Sequence, residues 1–267
     1  MSSPTALAID AVDARQPRKV RHETRRRALT VASVENLTPH LVRVTLAGDE
    51  LDGFMSLGFD DHIKLLVPRA DAGPDGEPMA DSRDYTPRYF DPKARTLAIE
   101  FALHEAGGPA TRWAQTVRVG QTIQIGGPRG SFIIPATYDW HLMVGDETAL
   151  PAMARRLEEL PAGSRTVVLA EVDSAAEELT FRTDANLSVT WVHRNGAAPG
   201  SINILGPALK QLTLPSGDFY AWVACESLIA KALRAQLIAE LGANPKWIRA
   251  AGYWRRGAVA THDTFND

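Results

Sequence analysis

The hydrophobic pattern changes period once, around "IIPATYD" at residues 133–139, and this change constrains the fold more than any other feature. Before it, apolar and polar residues alternate. Val42, Val44 and Leu46 stand against Arg43 and Thr45 in "HLVRVTLAG", and Leu97, Ile99, Phe101 and Leu103 against Thr96 and Glu100 in "RTLAIEFAL". Ile123 and Ile125 repeat the alternation in "QTIQIGG", and turn-rich pieces such as "AGPDGEP" and "GGPRG" separate the runs. Short half-buried strands with such breaks predict a small antiparallel Greek-key β-barrel over 25–136, interrupted by one helix near "PATRWAQTV".

After the change, "WHLMVGDE", "RTVVLAEV", "LSVTWVH" and "FYAWVAC" are nearly continuous apolar runs, read as buried strands. Between them "TALPAMARRLEEL" has helical spacing. In "ESLIAKALRAQLIAELG", Ile229, Leu233, Leu237 and Leu241 recur four apart, with Gly242 expected as the C-cap. "KWIRAAGYW" closes the series. Buried strands alternating with amphipathic helices predict a Rossmann-like parallel α/β domain over 137–267.

A chain of 267 residues accommodates two such domains. Its net charge of −3 argues against wholesale nucleic-acid binding. The charge is uneven, because "RQPRKVRHETRRR" at 15–27 sets seven Lys/Arg against Glu23. That run predicts a basic, disordered N-terminal arm over 1–24. Cys225 is the only cysteine, which excludes an internal disulfide or a cysteine zinc cluster and reads as a small core residue. No apolar run approaches the roughly 18–20 residues of a membrane span. The N-terminus "MSSPTALAIDAVDARQ" lacks an export pattern. A cytoplasmic monomer without a metal site is the resulting expectation.

Three stretches carry candidate chemistry. "SRDYTPRYF" at 82–90 packs Arg83, Tyr85, Thr86 and Arg88 around Pro87, whose missing backbone donor marks an edge strand or a bulge. Arg83 offers a fork for a pyrophosphate, Tyr85 an aromatic face and Thr86 a hydroxyl for a ring's polar edge. On spacing alone, an edge strand dressed in arginines against aggregation fits as well. "HEAGGPATRWAQ" at 104–115 runs a glycine-rich loop into a helix, with Pro109 near its start and Thr111 in its first turn. Free backbone donors there form an anion site. Two phosphate devices on one barrel favour a nucleotide-bearing cofactor. "VGDETALPAM" at 144–153 follows a buried strand and opens a helix, where open α/β sheets bind ligands, although it lacks GxGxxG. Asp146 and Glu147 suit ribose hydroxyls rather than phosphates, and Thr148 and Ala149 permit close approach; helix capping is the other reading of Asp146 and Thr148.

Together "SRDYTPRYF", "HEAGGPATRWA", "GDETALPAM" and the terminal "GYWRRG" resemble the siderophore-interacting protein family, the flavin-dependent ferric-siderophore reductases related to ferredoxin reductases. The resemblance runs from about residue 25 to 257 with the motifs in order. It implies a flavin-binding barrel, an NAD(P)H-binding α/β domain and noncovalent FAD between them. By position it assigns Arg83, Tyr85 and Thr86 to the flavin. His104, Gly108, Ala110, Thr111 and Trp113 fall along the ribityl, pyrophosphate and adenine portion, and Asp146, Glu147, Thr148 and Ala149 line the nicotinamide approach. The implied substrate is an anionic ferric siderophore, reduced to release Fe(II) for iron assimilation, with NAD(P)H or a ferredoxin as donor.

That chemistry needs no protein acid, base or nucleophile. His62, His104 and His193 are therefore read as structural or hydrogen-bonding groups. Lys64 in "HIKLLVP", Arg129 in "GPRGSF", and Arg255 with Arg256 in "GYWRRG" are the candidates for a basic rim that draws in the chelate. Trp254 either covers the flavin or packs beneath the sheet, and Arg194 either meets a 2′-phosphate or caps "HRNG". A general NAD(P)H:flavin or ferredoxin-type reductase and a non-enzymatic chelate carrier are the competing readings.

Overall fold

The computed structural model describes residues 15–72, 78–104, 107–258 and 263–265; most of the expected arm, residues 1–14, lies outside the described residues. The N-terminal part is built from β1 (Arg18–Arg21), β2 (Arg26–Thr38), β3 (Leu41–Ala47), β4 (Ile63–Ala72), β5 (Pro78–Tyr85), β6 (Tyr89–Asp91), β7 (Thr96–Ala102), α1 (Pro109–Thr116), β8 (Thr122–Gly126) and β9 (Gly130–Ile133). Seven of these strands form one antiparallel sheet in the order β5-β4-β8-β2-β3-β7-β6. The jumps from β3 to β4 and from β7 to β8 are the Greek-key crossings. Val44, Leu46, Ile63, Leu65, Leu97, Ile99, Phe101 and Ile125 fill the interior, the inward half of each alternating strand.

The string 82–90 is not one strand. Strand β5 ends at Tyr85, Thr86–Arg88 leave the ladder, and β6 begins at Tyr89 on the opposite edge of the sheet. Pro87 thus sits in the crossing that closes the barrel, where a missing N–H removes no ladder bond. The Arg88 N–H rejoins the sheet through the Ala98 carbonyl at 2.9 Å.

The arm expectation needs correction for residues 15–24. Strand β1 pairs antiparallel with β9 as a two-stranded sheet. Ahead of it, Arg15 donates to Asp218 at 2.5 Å and Asp139 at 3.4 Å, its guanidinium lies 5.7 Å from the ring centres of Tyr138 and Trp247, and its carbonyl accepts the Tyr138 hydroxyl at 2.6 Å. Composition suggested a solvated run, but Arg15 packs on aromatic faces and pairs with acids brought from distant sequence, and β1 finds a strand partner.

The second half contains β10 (Trp140–Gly145), α2 (Leu150–Glu159), β11 (Arg165–Val172), β12 (Asn186–His193), α3 (Leu205–Gln211), β13 (Phe219–Glu226), α4 (Ser227–Ala239), β14 (Ile248–Trp254) and β15 (Asp263–Phe265). Its sheet order is β12-β11-β10-β13-β14-β15, parallel except for β15. Strand β12, expected as buried, is half-exposed because it is an edge with β11 as its sheet neighbour. Helix α4 ends at Ala239 rather than running to Gly242, which instead takes φ +64° while the Ala243 N–H bonds the Leu237 carbonyl at 3.0 Å.

Helix α2 fastens this domain to the barrel. Arg155, buried on α2, donates from Nη1 to Ser56 Oγ at 2.8 Å and the Pro87 carbonyl at 2.9 Å, and from Nη2 to the Ser56 carbonyl at 3.0 Å. Glu158, three residues on and so about one turn along α2, accepts both Arg88 Nη atoms at 2.7 Å. Asp60 of the barrel accepts from Arg249 and from Trp222 Nε1. Glu177 accepts from the Thr38 hydroxyl at 2.5 Å and the His40 N–H at 3.1 Å. The rim around Pro87 is therefore covered by the second domain.

Truncating Arg155 strands the Pro87 carbonyl and the Ser56 groups without their donor. Arg155→Ala is expected to cost about 3 kcal/mol of unfolding free energy, read as a lowered midpoint in urea. Loss below about 0.5 kcal/mol would assign the domain seam to apolar packing instead.

Candidate cofactor groove and donor crevice

The barrel places the two candidate phosphate devices on one side. In β4–β5 pairing, Ile63, Leu65 and Val67 stand opposite Tyr85, Arg83 and Asp81. Directly paired residues share a face, so Arg83 and Tyr85 lie on the inward face of the split edge. Helix α1 packs against β4 and β5 there. Tyr85 meets Phe101 at 4.4 Å between ring centres, and Phe101 meets Trp113 of α1 at 5.6 Å. Burial pushes the Tyr85 phenol up, so it stays neutral. An open groove of about 720 Å³ runs between Val67, Arg69 and Asp81 of the hairpin and Pro109, Arg112 and Trp113 of the helix.

The first turn of α1 has no side-chain cap, and Pro109 opens it. Gly107 is required because a Cβ would overlap Thr111, whereas the space around Gly108 is open. The backbone donors of Gly108, Ala110 and Thr111 are therefore left without a side-chain cap, with open space beside Gly108. The groove, the uncapped turn at its end, the Tyr85 ring and Arg83, whose Nη1 bonds the Ser82 carbonyl at 2.9 Å, supply the residue types that an aromatic ring joined to a diphosphate and an adenosine requires, so this side of the barrel fits FAD. Thr86 is buried and hydrogen-bonds Tyr253 of β14 across the domain junction.

The α/β sheet reverses its strand order between β10 and β13, and their carboxyl ends frame the crevice where such sheets take ligands. Gly145 ends β10, and a Cβ on it would overlap the Ala224 carbonyl and Ala149. Asp146 is buried and already engaged. It accepts from the Thr148 N–H at 3.0 Å, the Thr148 hydroxyl at 2.5 Å and Trp254 Nε1 at 2.8 Å. Burial, with the adjacent Glu147, pushes its carboxyl up to about 6. Asp146 thus holds the Trp254 indole at the carboxyl end of β10. Because Tyr253 bonds Thr86 and Trp254 bonds Asp146, two consecutive residues join the flavin-side motif to the donor-side motif.

Glu147 grips Arg194 through two bonds, 2.6 and 2.9 Å, and Glu171 adds a third at 3.3 Å. Arg194 is consequently buried in an ion cluster rather than presented to a 2′-phosphate. His104 Nδ1 lies 3.7 Å from Glu147, and burial pulls its imidazole down. Glu226, which ends β13, accepts the Leu228 and Ile229 N–H groups at 2.7 and 3.1 Å and the Arg256 N–H at 3.3 Å. Carboxylates of the chain itself thereby occupy a backbone donor in the turn ahead of α2 and two at the start of α4.

The basic-rim candidates divide. Lys64 lies on the face of β4 opposite to Arg83, paired with Asp84 at 2.7 Å, and Arg129 is exposed just before β9. Arg255 and Arg256 are exposed just past β14, in the other domain. Sequence reasoning missed Arg155, Glu171 and Glu226, and it singled out Arg88 without its partner Glu158. Glu226 alone had a signal, an acid immediately ahead of a helical run. Among the described residues, no group of three or more His, Cys, Asp or Glu could hold a metal ion, and no helix is long and apolar enough to cross a membrane.

A barrel bearing an FAD-type groove, set against a Rossmann-like sheet with a ligand crevice at its reversal point, defines a two-domain flavoprotein of the ferredoxin-reductase kind. Residues 30–132 match the siderophore-interacting FAD-binding domain and residues 138–257 the siderophore-interacting protein model. The NADPH-dependent ferric-chelate reductase of Escherichia coli K12 is 36% identical over 260 residues, covering 90% of this chain and 97% of that protein. Ferric vibriobactin reductase ViuB of Vibrio cholerae is 30% identical over 249 residues, covering 86% and 90%. The crystal structure of a siderophore utilization protein from T. fusca superposes with TM-score 0.84 at 37% identity, covering 92% of this chain and 98% of that one. The chain belongs to the siderophore-interacting protein family.

The crevice cluster has a pH signature. Burial, with Asp146, pushes the Glu171 carboxyl up to about 7, from an ordinary value of 4.5. As pH rises between these values, the unfolded chain releases this proton first, so stability falls across the window and the loss remains in full once both states are ionised. Glu171→Gln should gain on the unsubstituted protein progressively across that window and stay level above it, in urea midpoints taken from pH 4 to pH 8. A gain that shrinks with rising pH would contradict the assignment.

Proposed function

We propose that this chain is a cytoplasmic, monomeric ferric-siderophore reductase that draws electrons from NAD(P)H through noncovalently held FAD. The observation that carries this reading is the junction at the split rim, where Thr86 of the barrel meets Tyr253 of β14, whose neighbour Trp254 donates to Asp146 of the donor crevice. FAD, when bound, accepts two electrons together and passes them on singly, which matches a hydride donor to Fe(III). The chain supplies the positioning. Arg83 and the backbone donors of Gly108, Ala110 and Thr111 grip the diphosphate, with His104 and Trp113 along the same portion. Tyr85 and Thr86 set the ring. Thr148 and Ala149 allow the donor to approach, while Asp146 and Glu147 shape that approach by holding Trp254 and Arg194.

Lys64, Arg129, Arg255 and Arg256 attract the ferric chelate without ligating its iron. Reduction to Fe(II) weakens the hard-oxygen cage and releases the metal. The Escherichia coli relative's NADPH dependence supports a nicotinamide donor. A ferredoxin is the second reading, favoured by the carboxylates that close backbone donors around the crevice, since they repel a dinucleotide's phosphates.

Anaerobic holoprotein should bleach with NADPH or NADH and recover its colour on adding a ferric chelate, with Fe(II) caught by a ferrous trap. Bleaching by reduced ferredoxin alone selects the second donor. A reduced protein that leaves every chelate ferric defeats the reductase reading. Arg83→Ala should weaken FAD binding about 10–100-fold with an unchanged urea midpoint of the apoprotein; undiminished affinity would remove Arg83 from the phosphate grip.

A further inference from the structure

On the outer face of the barrel, one row of residues crosses four strands in register. Asp84 of β5 stands opposite Lys64 of β4, Lys64 opposite Gly126 of β8, and Gly126 opposite Arg26 of β2. Residues directly opposite each other share a face. The adjacent row of Leu65, Ile125 and Arg27 is buried inside, so this row points outward. Lys64 and Arg26 are therefore separated by a single strand that carries no side chain at their level. Strand spacing puts their Cα atoms about 10 Å apart, and a Cβ built on Gly126 would meet only Lys64 Cβ, at 3.8 Å. The floor between the two cations is open.

We propose that Arg26 and Lys64, flanking Gly126, form a two-cation notch that binds the oxygen-rich face of a negatively charged ferric chelate, with Asp84 limiting how much negative charge it accepts. This rests on the ferric-chelate reductase reading. Arg26 is exposed and the Lys64 side chain is 43% exposed. A carboxylate oxygen of Asp84 already lies 2.7 Å from Lys64 Nζ, so an oxyanion position exists on this face. The other Asp84 oxygen is buried without a partner. The backbone holds the notch in shape, because the Gly127 N–H bonds the Arg25 carbonyl at 3.1 Å and Arg27 Nη1 bonds the Gly127 carbonyl at 3.2 Å. Arg129, three residues beyond Gly126 on the same turn, extends the cationic edge.

Charge is what this device reads. A trianionic ferric tris-catecholate should gain from both cations, and an uncharged ferric tris-hydroxamate should not. In holoprotein turnover at low salt, Arg26→Ala is expected to raise KM for the trianionic complex about three- to tenfold, an effect that shrinks as salt screens it. KM for the uncharged complex should move by less than about twofold. Arg26→Lys should restore most of the loss, and Asp84→Asn should lower KM for the trianion. Equal shifts for both complexes, or none, overturn the notch. Redox-inert gallium(III) tris-catecholate, followed by tryptophan quenching, separates the two ideas. A Kd raised by Arg26→Ala upholds the notch even where no chelate is reduced, and an unmoved Kd overturns it even where reduction proceeds.

Discussion

A single buried guanidinium, Arg155 of α2, fixes how the two halves of this protein meet. It reaches Ser56 and the Pro87 carbonyl, and the neighbouring Arg88–Glu158 fork secures the same spot from the other side. Two arginines in fixed fork geometry define orientation as well as contact, because bidentate pairs lose their bonds when rotated. Everything at the site inherits that orientation. Thr86 reaches Tyr253 because Pro87 is held one residue further on. The unpaired rim of the barrel around Pro87 is thereby covered rather than left as an aggregation-prone edge.

The donor crevice follows a different logic from the cofactor groove. On the barrel side, backbone donors are left uncapped and arginines are at hand, a preparation for phosphate. On the α/β side, Asp146 and Glu226 turn carboxylates onto backbone donors, and Glu147 with Glu171 immobilises Arg194. Burial first, and neighbouring carboxylates second, raise the proton affinity of both Asp146 and Glu171. The two sides therefore divide the work. The barrel side presents donors suited to a phosphate, and the crevice side presents carboxylates together with an indole, Trp254, that Asp146 holds in place.

Much of the architecture was legible because burial imposes period. Alternation in β3, β7 and β8 and the continuous runs of β10, β11 and β13 specified a barrel followed by a parallel sheet. Strand β12 misled because an edge strand with apolar residues reads like a central one. Residues 15–24 misled because a basic run has the composition of a solvated arm, while its partners Asp139, Asp218 and Trp247 lie far away in sequence. The string 82–90 revealed its chemistry but not its geometry, since only the fold shows Pro87 crossing from one sheet edge to the other. Arg155 was invisible for a related reason. In "AMARRLEEL" its spacing cannot distinguish a solvated arginine from one buried against another domain. Lys64 was legible as a cation, but its alignment with Gly126 and Arg26 needed the strand register.

The central claim is that FAD lies along the groove from α1 to the domain junction, touching both halves. Hydrogen–deuterium exchange of apoprotein and FAD-loaded protein tests it most directly, since bound ligand slows local opening where it makes contact. The account predicts slowed exchange together in residues 82–88, 107–113 and 251–254. Protection that leaves 82–88 and 107–113 unchanged would contradict it.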